Sequence, residues 1–255
     1  MFKKKPYKIN KEIIVYWSPW WNIEKKNSFD IYYHEPENVY TNLLDKYEQP
    51  RITKNFMHCP AFRDAVKNSY VIFSQTDIDL SIQTNENNEI QNFGFTHPEK
   101  IAIGGKLSHM PSLKNQFLIE TDMAVTFFSE QSLDISITSP FFHETPYLSS
   151  AAVVPGKFNI GKWFRPINFE FNLWENVKRL KIDSGEPILY FNFYTDSKIV
   201  FKRFQFNERL FYLSSQLVRY RQNPDKPMSL MTRYKKFEQS MIKNVILKEI
   251  KNNLL

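Results

Sequence analysis

The feature that most constrains this chain is a two-residue alternation of apolar and polar side chains that recurs from near its start to about Phe206. In "INFEFNL", Phe169, Phe171 and Leu173 alternate with Glu170 and Asn172, and in "DIDLSIQ", Ile78, Leu80 and Ile82 share one side. Successive side chains of an extended strand point to opposite faces, so this period predicts strands with one buried face. Ile135 and Ile137 repeat the pattern in "LDISIT". "EIIVYWS" and "SYVIFS" are continuous β-branched and aromatic runs, the pattern of strands with little polar relief.

Turn chemistry divides these runs into short strands. "TNENNE" turns "DIDLSIQ" back into "EIQNF" and predicts a hairpin. A polar turn at Glu130 to Ser132 separates two further runs, Pro155-Gly156 and Gly161 punctuate the next, and Asp183-Ser184-Gly185 precedes "EPILYFNFYTD". There Ile188, Tyr190 and either Phe193 or Tyr194 are core candidates. Short strands at turn-spaced intervals predict a mainly β body, a β-sandwich or jelly-roll-like arrangement, over residues 12–206.

After Phe206 the period lengthens. "NERLFYLSSQLVRYR" opens on Asn207 as a cap and sets Leu210, Leu213, Leu217 and Tyr220 on one helical face. "QNPDKP" then breaks the chain. Helical spacing resumes through Tyr234, Phe237, Met241 and Val245, capped by Ser229 or Thr232. Residues 207–255 are therefore expected as a pair of α-helices appended to the body, packed on it or extended to a partner.

The 255-residue chain is long enough to bury a large core, and 23 Phe, 13 Tyr and only 6 Gly give it an ordered, aromatic-rich composition. One cysteine excludes an internal disulfide, and "MFKKKPYKINKEIIVYW" lacks an apolar run of signal-peptide length. No stretch approaches the roughly 20 apolar residues of a spanning helix. The expectation is a cytosolic protein without membrane attachment. The formal charge of +7 is unevenly placed. Residues 1–11 hold five lysines and no acid, while residues 207–255 hold ten Lys or Arg against four acids. An arm with Lys3, Lys4 and Lys5 and a basic C-terminal segment could lie on an acidic partner or on nucleic acid, or serve as solvated faces.

The chemistry-bearing residues are few. Six glycines supply neither a phosphate-cradling G-x-x-x-x-G-K nor a dinucleotide fingerprint, and no G-x-S-x-G elbow occurs. In "HCPAFRDAVKNS", Pro60 suits the first helical position and places Cys59 at the helix start beside His58. The orphan amides and Arg63 there would activate a thiol, which makes Cys59 and His58 the candidates for nucleophilic catalysis. The same pattern also fits a small apolar residue buried at the start of a connector helix whose inner side is Phe62, Ala65 and Val66, and this structural reading is the expectation. A metal site on a cupin-like barrel would draw on two of His97, His109 and His143 with Asp122, Asp134 or Glu144. Against it, His143 and Glu144 are adjacent and point to opposite faces of a strand, and no His-x-His cluster occurs. "VYWSPWWNI" sets Trp17, Trp20 and Trp21 around Pro19, and "GKWFRPI" sets Trp163 near Arg165. Such aromatics stack sugars or bases when exposed, or plug the open end of a sandwich when buried.

The combination "SPWW", "CPAFRDAVKNSYVIFS", "PGKFNIGKWFRPINFEF" and "GEPILYFNFYT", spread over residues 17–195, resembles a protein family of tailed bacteriophages, especially marine T4-like phages, and of some bacteria. That family carries no assigned activity, so the resemblance implies no catalytic residue and no cofactor. It implies a location in the cytoplasm of an infected bacterial host or in a virion. Together these readings lead to a non-enzymatic binding or structural protein acting through protein contacts, self-association included, with nucleic acid as a further partner class. The alternatives are a cupin-like, metal-dependent enzyme and a carbohydrate-binding module.

Overall fold

The structure, a computed structural model, describes residues 12–19, 34–46, 56–74, 77–84, 90–95, 108–111, 117–174, 177–219 and 228–255. In chain order the strands of the first half are β1 (Glu12–Pro19), β2 (Glu37–Asn38), β3 (Ser69–Phe73), β4 (Ile78–Thr84), β5 (Ile90–Phe95), β6 (Ser108–Pro111) and β7 (Phe117–Phe128). Those of the second half are β8 (Asp134–Thr138), β9 (Ala151–Val153), β10 (Gly156–Asn159), β11 (Ile167–Leu173), β12 (Arg179–Ile182), β13 (Pro187–Phe193) and β14 (Lys198–Arg203). The helices are α1 (Val39–Lys46), α2 (Pro60–Val66), α3 (Glu208–Arg219), α4 (Leu230–Gln239) and α5 (Ile242–Asn252).

The protein is mainly β. One sheet has the order β14-β1-β7-β11-β9, with β6 also paired to β7; a second has the order β10-β8-β13-β3-β2. All these pairings are antiparallel except β1 with β14, which is parallel. Because β11 runs along most of one edge of the long β7, β1 and β6 share its other edge. The predicted β4–β5 hairpin is present and takes β12 as its third strand. Among the described residues no sheet closes into a barrel.

The two large sheets pack face to face. Val15, Trp17, Val125, Phe127, Phe169 and Phe171 from the first meet Ile72, Ile135, Ile137, Leu189, Phe191 and Phe193 from the second in one core. Ile78, Leu80, Leu180 and Ile182 of the third sheet close its side. The strand period then explains the outer layers. Tyr16 and Phe128 point away from that core, into an apolar layer completed by Leu210, Phe237, Ile246 and Ile250 of the C-terminal helices. Val71 and Tyr190 leave the second sheet on its far side and are covered by Val39, Leu43, Met57 and Val66 around α1 and α2. The body is thus a sandwich with helices on both outer faces, which is why "EIIVYWS" and "ILYFNF" read as continuous apolar runs.

Three details differ from the sequence expectation. The second C-terminal helix is split in two: the Ser240 hydroxyl and backbone N–H both bond the Phe237 carbonyl and end α4, and Met241 is exposed. Ile246 and Ile250, not Met241 and Val245, carry the buried stripe onward. Trp17 is 1% exposed inside the sandwich, so it cannot display its ring to a ligand. Cys59 is exposed rather than buried. Pro60 does open α2 and Cys59 does occupy its N-cap, but only Val66 of this seven-residue helix is fully buried and Ala65 faces out. A helix that short anchors by its far end and leaves its start in solvent.

Candidate functional site

The loop between β10 and β11 carries Lys162, Trp163, Phe164 and Arg165, and its course is fixed by backbone packing. Ile160 N–H bonds the Leu133 carbonyl at 2.9 Å, and Ser129 N–H bonds the Ile160 carbonyl at 3.3 Å. Gly161 lies so close to the 129–133 connection that a Cβ there would stand 2.1 Å from the Gln131 carbonyl oxygen. Only glycine fits. Phe164 then turns inward, fully buried, with its ring 5.1 Å from that of Phe128 and 6.3 Å from that of Phe206. The residues on either side are held at the surface.

Helix α4 lies against this loop. Ser229 caps it by accepting from the Thr232 N–H at 3.2 Å, the role that a serine before an apolar helical stripe predicts. The Tyr234 hydroxyl accepts from Asn159 N–H at 2.8 Å, Lys162 pairs with Glu238 at 2.8 Å, and Phe237 inserts beside Phe128. Between loop and helix runs a small, solvent-open groove. Lys162, Arg165, Arg233 and Lys236 line it, with Trp163, Phe164, Phe237, Met228 and Ile242 as apolar walls, and among the described residues no carboxylate lines it.

The electrostatics of the groove follow from that lining. The Arg165 guanidinium stacks over the Trp163 ring at 4.7 Å, on an indole whose ring also contacts Phe158 at 5.5 Å. This cation–π pair fixes two flexible groups in one orientation. Trp163 Nε1 and Arg233 Nε are buried donors without an acceptor among the described residues. Leaving a buried donor unsatisfied costs about 1–3 kcal/mol. Lys243, at the start of α5, is held below the usual lysine range by burial, partly offset by Glu238 and reinforced by the nearby Lys162. Chemically, this is a site of donors and positive charge with apolar flanks, suited to an anionic ligand.

A second polar cluster lies on the opposite outer face. His143 is 4% exposed and accepts at Nδ1 from the Tyr190 hydroxyl, while its Nε2–H donates to Asn42 Oδ1 at 2.8 Å. Asn42 in turn donates to Glu37 at 2.6 Å, which fixes the amide orientation and hence the imidazole tautomer. Burial, aided by the Lys46 charge, lowers the His143 pKa to about 4. Both ring nitrogens are used in structural bonds.

The other sequence candidates fall in several places. Asp134 lies on β8 and bonds Asn159 and Lys157, whereas Glu144 is exposed. Among the described residues no three His, Cys, Asp or Glu side chains gather. His97, Trp20, Trp21 and Lys3, Lys4 and Lys5 lie outside the described residues, as do the side chains of His109 on β6 and Asp122 on β7. His58 and Cys59 are both exposed, and the cap position makes no side-chain hydrogen bond. Of the nominated residues the structure brings together Trp163 and Arg165. It adds Arg233 and Lys236, whose spacing of three puts them on one face of α4, a signal the sequence held but did not connect to the loop.

In comparison with known proteins, no family model, no curated protein and no solved structure matches this chain.

Proposed function

We propose that this chain is a non-enzymatic binding protein of phage type, whose basic C-terminal face engages an acidic macromolecular partner. The observation that carries this reading is the groove in which Lys162, Arg165, Arg233 and Lys236 converge. A cluster of cations on one face raises the local potential and draws a polyanion toward it. The C-terminal segment carries ten basic residues against four acidic ones, and residues 1–11 carry five lysines and no acid. Under the family resemblance, the partner would be one met in the cytoplasm of an infected bacterial host or in a virion.

The test uses the full chain on a polyanion support such as heparin. Reversing Arg233 and Lys236 to Glu is expected to lower the salt needed for elution clearly more than reversing two exposed lysines outside the groove, Lys202 and Lys248. Equal shifts for the two pairs would reduce the interaction to net charge and remove the groove from the argument.

A further inference from the structure

We infer that the groove between α4 and the loop before β11 is a single-stranded nucleic-acid site, an inference that rests on the binding function proposed above. Two classes of polyanion could contact its cations, an acidic polypeptide or a nucleic acid, and the side chains between the cations favour the second. A carboxylate-rich peptide needs cations alone. Here the cations alternate with planar groups: Arg165 lies on Trp163, and both line the groove beside Arg233 and Lys236. Sequence-tolerant single-strand sites combine a positively charged track for the backbone with aromatic or guanidinium planes for the bases. A duplex cannot use the planar groups, because its base faces are already stacked inside the helix.

Two features give the site a fixed shape. The Gly161 contact and buried Phe164 hold the loop, while the Tyr234–Asn159 bond and the Lys162–Glu238 pair hold α4 against it. Phosphate and base subsites therefore keep a constant separation before the ligand arrives, which reduces the ordering cost of binding.

The experiment measures fluorescence anisotropy of a labelled oligothymidylate of about 12 nucleotides with the full chain, across about 50 to 300 mM salt. A labelled duplex of the same length and poly-glutamate serve as competitors. The single strand is expected to bind better than either. At about 0.7 per phosphate contact, the three groove cations other than Lys162, which pairs with Glu238, give a slope of log affinity against log salt of up to about −2.1. Arg165→Gln with Arg233→Gln is expected to weaken binding at least about tenfold and to flatten the slope by about 1.4, while Lys202→Gln with Lys248→Gln leaves the slope nearly unchanged. Near-ultraviolet circular dichroism checks folding. If the groove variant does not fold, the wild-type slope and the preference for single strand over duplex decide the matter, and a flat slope or no preference overturns the inference. Tight poly-glutamate binding that the groove variant abolishes, without oligothymidylate binding, overturns the nucleic-acid assignment and leaves the acidic-partner reading standing. No binding to either polyanion overturns both.

Discussion

Acidification should destabilise this protein through His143 in a defined interval. The neutral ring accepts from Tyr190 at Nδ1 and donates to Asn42 at Nε2. Protonation turns Nδ1 into a donor facing a hydroxyl whose oxygen already receives the Phe142 N–H at 3.2 Å. The Tyr190 hydrogen then loses its acceptor in a residue that is 1% exposed. Among the described residues no acid contacts the ring directly: Lys46 repels the charge, and Glu37 reaches it only through Asn42. Burial and Lys46 thus put the folded pKa at about 4, below the ordinary histidine value of 6.5.

Above 6.5 the ring is neutral in both states and the term is fully present. As pH falls below 6.5 the unfolded chain takes up a proton that the folded chain refuses, so stability declines until the folded ring titrates near 4. Each pH unit in that interval removes about 1.4 kcal/mol. The interval carries an upper bound of about 3 kcal/mol, and solvent screening near the surface reduces this to about 2 kcal/mol. Urea unfolding followed by intrinsic fluorescence at several pH values between about 7.5 and 4.5 measures it, with the wild type compared against His143→Gln. The variant is expected to be less stable near neutrality, because it loses two buried bonds, and to show a shallower decline below about 6.5. Parallel declines for the two proteins would refute the reasoning, since every other titrating group is common to both.

Two further expectations concern backbone and thiol. Gly161→Ala sets a methyl group against the Gln131 carbonyl, 2.1 Å away, so the loop and the 129–133 connection must separate at a cost of about 1–3 kcal/mol or more. Thermal melting measures this, and an unchanged melting temperature would mean that the close approach is not present. Cys59 is exposed and makes no cap bond through its side chain, so an aromatic disulfide reagent is expected to titrate one thiol in the native protein. A thiol that reacts only in denaturant would contradict that placement.

The strands were legible because their signal is local. Each residue of "INFEFNL" lies on the face its alternation assigns, and Ile135 and Ile137 are buried between half-buried neighbours as their pattern requires. The helix caps were legible for the same reason: Asn207 accepts from Leu210 N–H at 2.9 Å and Ser229 from Thr232 N–H. What was hidden depended on distant partners. Nothing local in "VYWSPWW" says that Trp17 is roofed by the opposite sheet, because a run buried on both faces looks the same as one with an exposed aromatic end. The exposure of Cys59 turns on how α2 tilts over the second sheet. The groove was half legible, since Trp163 and Arg165 are neighbours in the chain, but Arg233 and Lys236 reach them only through the docking of α4 by Tyr234 and Phe237. No helix among the described residues is long and apolar enough to cross a membrane.

The parallel pairing of β1 with β14 has a consequence for how the protein is made. Lys198 and Glu12, matched across that ladder and joined by a side-chain bond, are 186 positions apart. Synthesis therefore delivers the apolar segment "IIVYW" well before either neighbour that will cover its backbone, first β7 and much later β14. Contacts of such separation slow folding, and an unpaired apolar strand in a nascent chain is a template for association. The lysines immediately upstream, Lys8 and Lys11 among them, keep charge beside that segment during the wait, as charged flanks do for strands that must remain soluble before they pair.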